Sequence, residues 1–543
     1  VFRRSSSVAI AALLALLLWA ALPAQPAAAA ETAQSWYLKG FKLQQEFHTL
    51  EALDAYKKAL ALDPFHVRAH YEIGWSYWIL ENWPEVVRHW ELAQELGLKV
   101  PELPTYLAMA RERMAGKLPP LVRPPIHTRA SGGGLMLELV ARFQHYDPKP
   151  SDPADHFDEH VFSPKSVQIT ADGAKAYVQA LEGHTTIVYD AHTFAKLKAI
   201  PHIFGPAQAH LFDAAETAQW APRFPTDEAP AKFNEYEGKP VEGVFTHSGR
   251  YLWVSHYRRS FDDLGILPSS VAIIDTRTDR IVRVMQSGPI PKFMAASPDG
   301  HWLAVMHWGD NTVGLIDIRG DDPWAWHHVG EIVVGKKLLL DIHRKVNRDR
   351  YCGLCLRGAV FTPDSRTLLV ARMGGGGIAV LDVAAMKHIG SVQGQKPTPR
   401  HLVLSHDGQT LYVGSNSSGY VATYHVADLV AAAKAGTPRL RPLHEVRTGE
   451  GTRTIALSPD GSLLFCALNN ESRIMALDAH TLRKLVEIPT DSFPVGLAIT
   501  PDGTHVWVTA QGRKLRGGNA VSVYEVTHSA EPRSTDTRSA KTR

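Results

Sequence analysis

Net charge is nearly absent from this chain. Its 58 lysines and arginines stand against 55 acidic residues, leaving +3 over 543 residues. That balance argues against a nucleic acid or other polyanion as partner. The motifs of several enzyme classes are missing as well. No phosphate-binding glycine loop occurs, because Gly374-Gly-Gly-Gly377 falls between two strand-like runs and reads as a turn. Neither a Gly-x-Ser-x-Gly elbow nor a His-Glu-x-x-His pair is present. Paired carboxylates occur at Asp262-Asp263 and Asp321-Asp322, in loop-like segments where solvated side chains are expected. After Leu22 no apolar run is long enough to span a bilayer. Cysteine is scarce, at three residues, and none stands near the N-terminus to carry a lipid.

What the chain has in quantity is a turn. It reads Thr170-Ala-Asp-Gly173, Thr246-His-Ser-Gly249, Ser297-Pro-Asp-Gly300, Thr362-Pro-Asp-Ser365, Ser405-His-Asp-Gly408, Ser458-Pro-Asp-Gly461 and Thr500-Pro-Asp-Gly503. Pro presets φ, the Asp side chain caps, and Gly accepts positive φ, so each is a tight reversal. Apolar runs flank every turn, such as Gly496-Leu-Ala-Ile499 before and Val506-Trp-Val508 after. A third run often closes on an acidic residue, as in Ala272-Ile-Ile-Asp275 and Met475-Ala-Leu-Asp478. Three strands and two turns, repeated at roughly forty residues or more, are the pattern of a β-propeller blade. Seven units predict seven blades. The last has three strands, and Leu135-Met-Leu-Glu-Leu-Val-Ala-Arg-Phe143 is an orphan run expected to supply the fourth and close the ring.

The units resemble the YVTN family of propeller repeats, with Pro291–Gly300, Pro399–Val413 and Pro494–Val508 fitting well and units two and four departing. The resemblance covers about residues 134–526 and implies fold more strongly than function. Related propellers support lactone hydrolysis and quinone or haem chemistry, so it also admits an enzyme.

Upstream a different repeat runs with a period of 34: Gly40 returns as Gly74, Tyr56 as Trp90 and Ala59 as Ala93. Trp36, Gly40, Ala52, Tyr56, Ala59 and Pro64 resemble the tetratricopeptide (TPR) pattern, implying two helical hairpins. Residues Leu103–Lys117 are expected as a capping helix. The resemblance implies a groove for a protein partner, with Lys39, Lys42, Tyr71, Trp75 and Trp78 as candidates; the alternative is a purely structural appendage. Prolines and Ser131-Gly-Gly-Gly134 then read as a linker.

At the N-terminus Arg3 and Arg4 precede an apolar run from Val8 to Leu22, and Ala28-Ala-Ala30 offers a cleavage site before Glu31. This reads as a secretory signal peptide and predicts export, to a bacterial periplasm. The Arg pair raises twin-arginine export, although Ser5-Ser-Ser7 follows it. The expected organisation is a multidomain chain. A signal peptide (1–30) precedes α-helical hairpins (31–117), a linker (118–133), an all-β seven-bladed propeller (134–526) and a disordered tail (527–543).

Long insertions, at Ile203–Lys239, His256–Leu267, Gly320–Leu356 and Gln511–Gly518, concentrate on one predicted face, while Asp428–Pro438 is expected as a short helix on the other. Seven residues before the third turn residue stand Lys165, Val241, Lys292, Arg357, Arg400, Arg453 and Val495, at the start of the inner strand beside the central channel. Eight residues after it stand Ala180, His256, His307, Arg372, Ser415, Leu468 and Ala510. The candidate ligand set is therefore Lys165, Lys292, Arg357, Arg400, Arg453, His256, His307 and Arg372, suited to a carboxylate or phosphate. The basic residues could instead pair with loop acids, and the histidines could hold a metal. No cofactor is otherwise predicted.

Tyr351-Cys-Gly-Leu-Cys355 has the Cys-x-x-Cys spacing, but Leu356 stands where haem attachment needs His. A local disulfide between Cys352 and Cys355, a metal site with His327, His328 or His343, and a redox pair all remain open. Cys466 reads as a core thiol. Together these features favour an exported, non-catalytic binding or scaffold protein. The alternative is a metal- or cofactor-dependent periplasmic oxidoreductase or lactonase-like hydrolase, served by His256, His307 and the Cys352–Cys355 loop.

Overall fold

A computed structural model of the chain describes residues 32–45, 48–80, 82–100, 102–114, 122–221, 233–262, 264–340, 346–437, 439–512 and 518–528. The segment expected as a signal peptide, Lys117, His343, Asp263 and the residues from 529 onward lie outside the described residues. Two compact units divide between Leu118 and Pro119.

The first unit holds α1 (Ala33–Gln45), α2 (Thr49–Leu62), α3 (Val67–Ile79), α4 (Trp83–Glu95) and α5 (Leu103–Met114). Its 34-residue period is set by close approach. A Cβ on Gly40 would lie 2.6 Å from the Tyr56 ring, and one on Gly74 2.0 Å from the Trp90 indole nitrogen. Only glycine lets each aromatic of the following helix settle there. Trp75 and Trp78 are core residues rather than a displayed surface: Trp78 is buried, and both rings pack against Trp90 and Tyr106. Tyr71 packs into the same cluster, while Lys39 and Lys42 are exposed.

The second unit is a seven-bladed β-propeller. Blades one to six run from Pro164–Ile169, Tyr236–Thr246, Pro291–Ala296, Leu356–Phe361, Pro399–Leu404 and Thr452–Leu457 as inner strands to Lys196–Pro201, Arg280–Ser287, His327–Val333, Lys387–Val392, His444–Arg447 and Lys484–Pro489 outermost. The seventh is assembled from both ends of the chain. Leu135–Gln144 pairs antiparallel with Ala520–His528, from Leu135 opposite His528 to Gln144 opposite Ala520. The segment expected as a linker continues this blade. Arg129–Gly132 is a strand on Leu135–Gln144, joined to it by Gly133 and Gly134, both at positive φ (58° and 80°). A two-residue hairpin needs that conformation, which explains glycine there better than flexibility does.

The turns show why their sequence repeats. In six units the Ser or Thr hydroxyl donates to the Asp two residues on and accepts the backbone N–H five residues on. Unit two has no Asp; there His247 and Ser248 both take positive φ, and Thr246 accepts from the Trp253 indole. In unit four Ser365 adopts the left-handed conformation that glycine holds elsewhere, at φ 59°.

Two expected loop features differ in their surroundings. The Ile203–Lys239 insertion forms α6 (Ala214–Trp220) on the outer edge of blade two, where Glu216 accepts from the Gln286 backbone N–H and from Arg283. Asp262 is buried, not solvated, and accepts backbone N–H groups from Gly265, Ile266 and Leu267. Asp321 and Asp322 are exposed. The helix foreseen near residue 428 is α7 (Val426–Lys434), seated on the outer strand of blade four through Leu429 and Ala433.

A buried ion cluster latches the closing strand. Arg142 pairs with Asp155 and lies 3.5 Å from Asp491, which also accepts from Tyr146 and Ser522. Asp491 is fully buried. Asp491→Ala leaves Arg142 short of a counter-charge, a defect worth about 3–5 kcal/mol. A matching fall in propeller unfolding free energy, read by calorimetry on the full chain, is expected; an unchanged transition would refute the latch.

The helical unit carries its own pH dependence. His70 Nδ1 lies 2.8 Å from His89 Nδ1, and His70 Nε2 lies 2.8 Å from the Pro64 carbonyl. Burial lowers both, His89 to about 4 with help from Arg88 and His70. Folded-state values below the unfolded value of 6.5 mean full stability above about 6.5, lost progressively towards about 4. Backbone hydrogen exchange in α3 and α4, corrected for intrinsic rates, should therefore show a smaller opening free energy at about pH 5 than at about pH 7. Equal values would contradict this.

Candidate functional site

Each inner strand carries a β-bulge at the equivalent place in the repeat. The ladder shifts between Pro164 and Ser166, Pro240 and Glu242, Pro291 and Phe293, Leu356 and Ala359, Pro399 and His401, Thr452 and Ile455, and Pro494 and Gly496. The residues skipped include Lys165, Val241, Lys292, Arg357, Arg400, Arg453 and Val495. A bulge frees a side chain from the alternation of the sheet and re-aims it. All of these except Val495 line one cavity of about 370 Å³. Its remaining walls are Leu181, Glu182, Tyr257, Arg258, Trp308 and Asp349.

The cations divide by how they are compensated. Lys292 Nζ lies 2.6 Å from Asp349 Oδ1 and over the Trp308 and Tyr257 rings, at 3.9 and 4.8 Å from their centroids. Burial brings it down to about 7 even so, against the pull of Asp349. Arg357 is buried, donates to the Lys292 carbonyl and reaches Glu242 at 3.3 Å. Burial raises the Glu242 carboxyl, while Arg357, Lys165, Arg400 and Arg453 all pull it down.

Lys165, Arg400 and Arg453 have weaker company. Arg400 donates to the Met373 sulfur, Arg453 lies over the Phe493 ring, and Lys165 donates to Gln511 Oε1 at 2.9 Å. Among the described residues no carboxylate forms an ion pair with any of the three. Burial and the neighbouring cations depress all three. The cluster thus has an unmet demand for negative charge.

The other three candidates lie apart from this cavity. His256 is fully buried within blade two, in a hydrogen-bonded chain running Thr186, His202, His256, Ser270 and Tyr236 with links of 2.6–2.8 Å. Burial lowers both histidines, His202 to about 3, so both are neutral. His307 lines a separate cavity of about 210 Å³. Its donor atom, with those of Asp310 and Glu331, falls in a cluster within 4.8 Å. That geometry suits a small cation, but Lys337 already holds Glu331 at 2.5 Å and approaches Asp310 at 3.9 Å. Both His307 nitrogens are also engaged, by Thr312 and by Ser287 and Gly288. Arg372 lies beside Gly375, away from the cluster, with its Nε buried.

Glu242, Asp349, Tyr257, Trp308 and Gln511 complete the site, and offset counting does not select them. Glu242 did leave a signal, since among the residues following the seven bulge positions, Ser166, Glu242, Phe293, Gly358, His401, Thr454 and Gly496, it alone is acidic.

Cys352 and Cys355 form a disulfide. Both are buried against Ile290 and Trp308, with Tyr257 and Met373 alongside. His328 is held by Glu216 at 3.2 Å and His327 lies on the outer strand of blade three, so neither approaches the cysteines. The Gly374–Gly377 turn covers the sulfurs closely, a Cβ on Gly374 meeting Cys355 Sγ at 2.5 Å. Cys466 is a buried free thiol, its acidity suppressed by burial. Thiol titration should therefore find no reactive group in the native chain, one in denaturant and three after reduction. Three in denaturant without reductant would overturn the pairing.

No protein-family model matches the sequence, and neither does any curated protein. Solved structures of similar fold include the Cps50 (Swd1) β-propeller domain of Myceliophteria thermophila. It is 14% identical at a TM-score of 0.48, over 67% of this chain and 97% of that one. Kuenenia stuttgartiensis hydrazine synthase is 15% identical at a TM-score of 0.47, over 70% and 100%.

Proposed function

We propose that the propeller is a non-catalytic binding module whose central cavity holds a small anion bearing carboxylate or phosphate groups. One observation carries this reading: Lys165, Arg400 and Arg453 converge on one cavity with no carboxylate among the described residues in ion-pair contact, and the nearby Glu242 is already paired with Arg357. Guanidinium groups bind two oxygens of one acid at once, and a cavity walled by protein strengthens each such pair. The repeats belong with the YVTN type on their turn motif. The helical unit belongs with tetratricopeptide modules on its Gly40–Tyr56 and Gly74–Trp90 contacts, and its role is to recruit a protein partner. Arg3, Arg4 and the apolar run after them support export to the periplasm. Among the described residues no helix is long and apolar enough to cross a membrane.

The test is titration calorimetry of the full chain with citrate and with inorganic phosphate at low ionic strength. Arg400→Ala and Arg453→Ala should each weaken the binding anion by about 10- to 100-fold, the loss of one charged hydrogen-bonding partner. Arg357 is a poorer choice because removing it also strands Glu242. Equal affinity in wild type and both variants, with folding intact, would refute the site.

A further inference from the structure

We infer that Lys165 is a nucleophilic amine, and that the anion held in the central cavity is a 2-oxo acid which it captures reversibly as an imine. This rests on the anion-binding reading above and adds to it the class of ligand.

The inference begins with a comparison between Lys165 and four lysines whose nitrogens are held by carboxylates. Lys292 is held on Asp349 at 2.6 Å, Lys175 on Asp279 at 2.7 Å, Lys196 on Asp158 at 2.6 Å and Lys239 on Glu182 at 2.7 Å. A carboxylate at such a distance favours the protonated form of its lysine and occupies one of its N–H groups. Lys165 lines a ligand-sized cavity, and among the described residues its hydrogen bond is to a neutral acceptor, the Gln511 amide oxygen. Gln511 is itself oriented, since its Nε2 donates to Ser163 at 2.6 Å. The amide therefore positions the amine without demanding that it be charged.

The surrounding groups make the amine reactive and supply selectivity. Burial, then Arg453, Arg357, Arg400 and Lys292, push the Lys165 ammonium well below the usual lysine range. Glu242 opposes them, but Arg357 is its ion-pair partner. A lysine crowded by other cations in a sheltered site is the arrangement that favours Schiff-base chemistry. The same arginines are the docking groups for a carboxylate. An acid carrying a carbonyl next to its carboxylate would place that carbon near the amine once Arg400 and Arg453 hold the oxygens.

The step balances without any co-reactant. The Nζ lone pair attacks the carbonyl carbon, the carbonyl oxygen takes up a proton, and the resulting carbinolamine expels one water as the C=N bond forms. The protons exchange with solvent, and no atom changes oxidation state. Hydrolysis runs the same path backwards, so capture is reversible.

The full chain would be incubated with 2-oxoglutarate and sodium cyanoborohydride, then measured by intact mass and peptide mapping. The expected result is one reduced adduct per chain on Lys165. It should fall to background in Lys165→Arg, which keeps the positive charge, and be suppressed by excess citrate, which has no ketone. Absence of an adduct, or modification spread over other lysines and unchanged in Lys165→Arg, would overturn the inference. Calorimetry on the same samples separates the two ideas. Binding of 2-oxoglutarate without an adduct sinks the imine alone, whereas no binding of any acid sinks the anion site as well.

Discussion

Ring closure is the constraint on which the rest of the propeller depends. Pairing of Leu135–Gln144 with Ala520–His528 turns a row of blades into a ring, and the Arg142, Asp155 and Asp491 cluster fixes that seam in a buried setting. The central cavity exists only because seven inner strands face one axis. Its reactive corner lies at the seam itself. Gln511 follows the second strand of blade seven, Lys165 begins blade one, and the hydrogen bond between them crosses the join. Asn519, also from blade seven, accepts the Ser163 backbone N–H beside it. The closing contacts of the fold and the positioning contacts of the site are thus neighbours.

Closing the ring also creates an electrostatic problem. Five blades send a cation to the axis from equivalent bulges, and like charges in a sheltered cavity disfavour one another. The chain answers in part. Asp349, from a long insertion, neutralises Lys292, and Glu242 neutralises Arg357. Among the described residues the cations of blades one, five and six have no ion pair of their own and share only the longer-range pull of Glu242. A structure that satisfies two of five cations and leaves the rest facing a cavity departs from the usual pairing of sheltered charge, and such departures concentrate where function is.

Much of this was legible because it is locally encoded. The turn satisfies its own backbone through a Ser or Thr hydroxyl and an Asp two residues on, so that pair recurs in six of the seven units. The basic residues were legible because the bulge recurs at a constant offset and carries each of them to the axis. The same counting failed for His256 and His307. Offset fixes a position along a strand but not the face it presents, and at the end of the second strand that face turns into the packed sheet. Ser131-Gly-Gly-Gly134 was ambiguous for a related reason: glycine serves a flexible linker and a positive-φ hairpin equally well. Only the partner strand decides, and it comes from the far end of the chain. Trp75 and Trp78 likewise show no periodicity that separates a displayed face from an aromatic core. Asp349 lies in an insertion with no repeat to compare, and no sequence signal points to it.

The disulfide is best understood through the cavity wall. A cross-link between residues 352 and 355 closes a very short loop, and so removes less chain entropy than one spanning a long segment. Its effect is therefore local. It holds Cys355 in the left-handed conformation, at φ 50°, two residues before Arg357 leaves the sheet at its bulge. It also packs beside Trp308 and Tyr257, the rings that flank Lys292, and beside Met373, whose sulfur meets Arg400. Three of the five axial cations thus take part of their orientation from this one loop. Lys165 and Arg453, on blades one and six, do not. The cavity is thereby built from a cross-linked side, which carries the two ion-paired cations and Arg400, and a second side, which carries Lys165 at the ring seam and Arg453.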